Sequence, residues 1–320
     1  MNIYQKWMIA RAAMAFVGAC IPSMVLFFST LCLVRSQKDP ARTAFTYLKF
    51  ALFIFSAYTL FDTVSLSGII AYNFMYSKID LEDPDPDYDW DNYFTVLHGL
   101  GISTRVFDLV AWTSQMITNI LIAIILLRLS TAILSINSGS TVSIGKKLRL
   151  ASYGIALVLG TLALTFLGLG IRFVYEYWYN DYDIAETCYV NGLRIRLAID
   201  VFILVISLVV IARAVTVKMQ TKADKSLTWA STMLVAASVV WLLHTSFTMA
   251  SFVSWYSLDM TSSVGPVEWQ TYFYIFEIIF GIWPQFAVLI MVYVMGRTKA
   301  NGIWSGQKKP LNKLEDGQQS

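Results

Sequence analysis

Thr104 to Arg128 reads TRVFDLVAWTSQMITNILIAIILLR, and no charge interrupts it between Asp108 and Arg128. As a helix rising about 1.5 Å per residue, it is long enough to cross the roughly 30 Å of hydrocarbon that about 20 residues span. Within it Asp108, Trp112, Gln115 and Asn119 recur at steps of four, three and four, which sets them on one helical face. Hydrocarbon offers such groups no partner, so the stripe must look into a bundle of helices and not into lipid.

The rest of the chain agrees. Of 320 residues, 57% are hydrophobic, 15% aromatic and 14% charged, whereas a soluble domain of this size carries about a quarter of its residues charged. Six further apolar runs accompany 104–128, at approximately 12–34, 50–76, 150–174, 197–216, 229–256 and 270–296. The expectation is an all-α polytopic membrane protein, a seven-transmembrane-helix bundle over residues 1–304. A disordered tail follows from 305 to 320, where Gln, Lys, Gly and Asp replace the apolar pattern. The first run is too long for a cleaved signal peptide and reads as a retained anchor. A net charge of +3 in such a chain does not point to nucleic acid, and none is expected as a partner. Cys20 and Cys32 lie in an apolar run and Cys188 stands alone in a polar segment, so no disulfide is expected.

Sidedness is read from Lys and Arg, which are retained on the cytoplasmic side near helix ends. The connections containing Arg35, Lys146, Lys218 and Lys309 hold sixteen of them, the alternate connections six, counting Lys6 and Arg11. The N-terminus is therefore expected outside or in a lumen, and the tail in the cytoplasm. The acidic stretch DLEDPDPDYDWD, 80–91, falls on the outer side by this reading. Its prolines favour a polyproline II backbone that splays alternate carboxylates apart, so it reads as a solvated loop more than as a cation site.

Ionisable groups at membrane depth are where function is sought first. Helix two carries Asp62, with Thr59, Ser65 and Asn73 on its face; helix three carries the stripe above, preceded by Arg105. Helix four ends near Arg172, helix five has Asp200 one turn after Arg196, and helix six holds His244. Helix seven brings Glu277, Gly281, Pro284 and Gln285 within FEIIFGIWPQF. An outward-open cavity floored by Asp62 and His244 satisfies these groups together. Trp112, Tyr175, Tyr179, Trp241, Tyr272, Tyr274 and Trp283 are available as walls for a bulky apolar ligand. Each group also has a plainer reading. Asp200 with Arg196 can be interfacial, Asp62 and Glu277 can tie helices together, His244 can be core, Pro284 a kink, and helix-end aromatics an interfacial belt.

Absent signals narrow the field. Helix seven has no lysine for a retinal Schiff base, since Lys299 lies beyond it; His98, expected in an outer loop, and His244 supply no paired haem ligands. No HExxH, GxSxG, Walker or dinucleotide glycine pattern occurs. No cofactor and no metal are implied.

Seven spans with an outer N-terminus resemble G-protein-coupled receptors in topology, though not in motif: LLRLST ends helix three without an acidic neighbour to Arg128, and WPQF stands in helix seven. The aromatic spans, WPQF and the closing GRTKANGIWS are similar to seven-span integral membrane proteins of filamentous fungi. A related group there is the membrane-bound terpene cyclases of secondary-metabolite pathways. The first resemblance implies receptor-like binding of a small, largely apolar ligand, with Asp108, Trp112, Gln115, Asn119, Arg172, Asp200, Trp241, His244 and Trp283 as the binding residues and a cytoplasmic partner at the basic inner loops. The second implies an isoprenoid substrate, with Asp62 and Glu277, matched by helix number, as general acids; a carboxyl in an apolar cavity can stay protonated for that task. Either way the lipid bilayer is the first partner, in the plasma membrane or the endoplasmic reticulum.

Overall fold

A computed structural model describes residues 3–32, 41–76, 90–138, 143–179, 181–222, 225–259 and 273–298. No strand occurs among them. Seven helices are long and apolar enough to cross a membrane: Gln5–Leu31, Arg42–Tyr76, Asp91–Asn137, Leu150–Tyr179, Tyr182–Gln220, Leu227–Ser254 and Phe273–Arg297. They are called the first to the seventh helix below. The acidic stretch at 80–89 and the tail at 305–320 lie outside the described residues.

The helices extend past the apolar runs that announce them. The third runs from Trp90 to Ser138 instead of 104–128, and His98, expected in a loop, stands within it with its ring 4.5 Å from that of Trp178. The fifth begins at Tyr182, where the Asp181 carboxylate accepts from the backbone N–H of Asp183 at 2.9 Å and so caps the first turn. Hydropathy marks the stretch that can sit in oil; hydrogen bonding carries the helix onward into polar sequence. In the first helix the early start moves a charge into the bundle. It starts at Ile3, so Arg11 belongs to the helix and not to the connection before it.

The third helix is the axis of the bundle, touching the second, fourth, fifth, sixth and seventh. Its second half is the core: Ile122, Ile125, Leu126, Leu129 and Ile133 are fully buried. Leu48, Leu52 and Phe55 of the second helix, Val288, Leu289 and Val292 of the seventh, and Trp241 of the sixth close around them. Phe55 and Phe286 stack with ring centroids 5.6 Å apart. Small residues let the backbones approach. Gly296 has no room for a side chain, since a Cβ there would stand 2.4 Å from the Phe45 ring, and Ser23 and Ser56 share a hydrogen bond of 2.9 Å between the first and second helices. Outward, the fourth and fifth helices leave large apolar side chains uncovered, including Leu157 at 72% and Leu164 at 64% exposure on the fourth.

Two single turns of π-helix interrupt the α-helices, Phe16–Cys20 in the first and Glu277–Ile282 in the seventh. Each is followed at one residue's distance by a proline, Pro22 and Pro284. Proline donates no N–H to the turn before it and its ring crowds that turn, and a π-bulge absorbs the mismatch without breaking the helix. The sequence signals a kink at Pro284; the structure makes it a π-turn that carries Glu277 at its start.

Candidate functional site

All seven helices contribute to a partly open cavity of about 450 Å³. It occupies the half of the bundle that holds the start of the first helix, the ends of the second, fourth and sixth, and the starts of the third, fifth and seventh. That volume lies within the range of about 300–1,000 Å³ that takes drug-sized molecules.

One of its buried charged groups is presented by the sequence pattern as an outer loop charge. Arg11 is 7% exposed; its Nη2 donates to Asp62 Oδ1 at 3.0 Å, and its Nε stands 3.1 Å from Glu277 Oε2. One guanidinium therefore joins the first, second and seventh helices. Leaving a carboxylate buried without such a partner costs several kcal/mol, of the order of 3–5 when one member of a buried pair is lost. Arg11 lies three residues after the buried Met8 and four before the buried Ala15, spacing that sets it on the helix's inner face. That spacing is the signal by which sequence alone can find it.

On the opposite wall, Arg196 lies over Trp112 with its guanidinium carbon 3.8 Å from the ring centroid, and 5.2 Å from that of Phe252. Its Nε is 3.8 Å from Asp200 Oδ2. Asp108, on the third helix, also lines the cavity, yet among the described residues it makes no hydrogen bond and no ion pair within 4 Å. Asp62 keeps a second oxygen, Oδ2, buried and without a hydrogen-bond partner. Gln115 completes the predicted stripe on the cavity wall, and Arg105 stands exposed at its edge.

Aromatic walls surround these charges: Tyr58, Phe166, Phe173, Phe247, Phe252, Phe273 and Tyr274 join Trp112. Of the aromatics that the sequence singles out, only Trp112 and Tyr274 are among them, because phenylalanines in apolar runs give no sign of which face they occupy. Tyr272 lies outside the described residues.

The remaining predicted residues do not line this cavity. Asn119 is the deep end of the third-helix stripe and accepts, through Oδ1, from Trp241 Nε1 at 3.3 Å and from Gln285 Nε2 at 3.1 Å. These three side chains tie the third, sixth and seventh helices together below the cavity, beside a void of only about 10 Å³. His244, expected as floor, is fully buried against the backbone of Phe280 and Gly281, with neither ring nitrogen hydrogen-bonded. Asp200 stands behind Arg196. Arg172 is turned outward and pairs with Glu176 at 3.6 Å. Trp283, 41% exposed, packs its indole against Gly18 of the first helix. Among the described residues no group of three or more His, Cys, Asp or Glu side chains is disposed to hold a metal ion.

Compared with protein-family models, with curated proteins and with solved structures, the chain finds no match in any of the three.

Proposed function

We propose that this chain is a multi-pass membrane protein that binds a small, largely apolar ligand in its seven-helix cavity, in the manner of a receptor. The observation that carries the reading is the cavity itself. A void of about 450 Å³ walled by aromatics, with a few convergent charged groups, has the composition of a ligand site, in a chain whose other half centres on fully buried apolar side chains. Apolar side chains left uncovered on the outer faces of the fourth and fifth helices support immersion in lipid. The excess of Lys and Arg in alternate connections supports an N-terminus outside or in a lumen, which makes the cavity open on that side of the plasma membrane or endoplasmic reticulum. Basic residues at the other end, including Lys218 and Lys222, then face the cytoplasm and a partner there.

The test is a thermal-shift screen of the full chain in lipid nanodiscs against a panel of apolar, amphiphilic and isoprenoid molecules. Gly192 lines the cavity with room beside it, since a Cβ added there would find its nearest neighbours in the Phe166 ring at 4.0 Å. The variant Gly192→Phe fills the void. It should abolish the shift given by any true ligand while leaving the protein's own melting intact. A panel with no ligand, or one whose shifts survive the filling, would overturn the reading.

One observation favours a second reading, the membrane-embedded cyclase. Asp108 is a carboxyl without an ion-pair partner among the described residues, beside aromatic faces suited to a carbocation. The ion pairs of Asp62 and Glu277 with Arg11 weigh against these two as proton donors and leave Asp108 for that role. Product formed from a polyprenyl epoxide by membranes carrying the wild-type chain, and lost in Asp108→Asn, would put this reading first.

A further inference from the structure

The acidic and basic groups around the cavity do not balance, and the imbalance specifies the ligand. Arg11 serves two carboxylates, Asp62 at 3.0 Å and Glu277 at 3.1 Å. Arg196 has Asp200 at 3.8 Å. Asp108 has no cation within 4 Å among the described residues, and Asp62 Oδ2 is a buried acceptor with nothing donating to it. Four carboxyl groups, with Asp200 behind the wall, thus stand against two guanidinium groups, Arg11 buried and Arg196 partly so. The third cation, Arg105, is exposed at the cavity edge, where solvent screens it. The wall between these acceptors is aromatic, and the negative face of an aromatic ring attracts cations, most strongly where water is excluded.

Building on the ligand-binding reading above, we propose that the cavity selects a cationic amphiphile: a protonated amine seated between Asp108 and Asp62, on an apolar body packed against the aromatic wall. Among the described residues Arg11 Nε and Arg196 Nη1 are buried donors without a hydrogen-bond acceptor, but they belong to charges already paired; what Asp108 and Asp62 Oδ2 lack is N–H donors and positive charge, which an ammonium group supplies in one compact head. An anionic ligand would add a like charge to the carboxylate excess. A neutral one would leave that excess uncompensated.

Three probes that share one cage separate these cases: 1-adamantylamine, 1-adamantanol and adamantane-1-carboxylate, titrated against the full chain in nanodiscs with empty nanodiscs as blank. The amine should bind at least about tenfold more tightly than either of the others, the scale of a desolvated cation–π and ion-pair preference. Asp108→Asn should bring the amine down to the affinity of the alcohol, with an unaltered unfolding transition reporting that the variant is folded; Asp108→Glu should keep the preference. Equal binding of amine and alcohol, or tightest binding of the carboxylate, overturns the charge assignment but leaves the cavity as a ligand site. Binding of none of the three, with the wider panel still giving a ligand blocked by Gly192→Phe, sinks this inference alone.

Discussion

The two halves of the bundle are made from the same helices and solve opposite problems. In one, Leu126, Trp241, Val288 and Leu289 are fully buried and the void beside Asn119 holds no more than about 10 Å³, room for a single water at most. In the other, the same helices part around some 450 Å³ and hold together through charges. The packed half needs no ionic tie because its apolar side chains interlock. The open half has given up those contacts, and Arg11 with its two carboxylates stands in their place. Among the described residues the ion pairs lie in the half where packing was relinquished, whereas the packed half keeps neutral ties such as Asn119 with Gln285.

The comparison breaks first at Arg11. Replacing it by Met leaves Asp62 buried without a counter-charge, a loss of about 3–5 kcal/mol, and leaves Glu277 unpaired on the cavity wall; the loss is read as reversible unfolding in mixed micelles. Adding Asp62→Asn and Glu277→Gln to Arg11→Met should recover most of it. If Arg11→Met unfolds like the wild type, the open half is held by something else. Next, Leu126→Ala in the packed half should cost about 2–5 kcal/mol, and Leu193→Ala on the cavity wall about half of that or less, because a void already adjoins it. Equal costs would mean that the two halves are packed alike.

Glycines sharpen the contrast further. A Cβ at Gly296 would stand 2.4 Å from the Phe45 ring, whereas at Gly281 its nearest neighbour is Glu277 Cγ at 3.7 Å, an ordinary contact. Gly296→Ala should therefore cost about 1–3 kcal/mol, and Gly281→Ala should stay within about 1 kcal/mol of the wild type. The smallest effect belongs to Asp108→Asn. With no ion pair to lose, it should leave the unfolding transition where it is, and a clear destabilisation would reveal a structural tie at Asp108.

Most of the fold and about half of the site are legible in the sequence. Seven apolar runs announce seven helices, since nothing else in a chain satisfies its backbone in hydrocarbon. The regular spacing of Asp108, Trp112 and Gln115 reads as a cavity face because polar groups stand out against apolar ones. Arg11 escapes notice for the converse reason. It sits where a run begins, and an arginine there reads as a flanking charge until the turn before it is known to be helical. Arg196 reads only as Asp200's neighbour, although Cys188, Gly192 and Arg196 share its face of the fifth helix at steps of four. His244 and Asn119 are misplaced in depth, since a helix pattern fixes the direction of a side chain and not the level at which its neighbours part.

The paired π-turns have a consequence for how this chain could have changed over time. Each carries one residue more than the α-helical path requires, and a single residue turns everything beyond it by about 100° about the helix axis. Deleting one codon within Phe16–Cys20 or Glu277–Ile282 would thus swing Arg11 or Glu277 out of alignment with Asp62 while the Phe55–Phe286 contact kept its place. Two such insertions, one in the first helix and one in the last, act as indexing teeth: they set the azimuth of the charged half independently of the packed one.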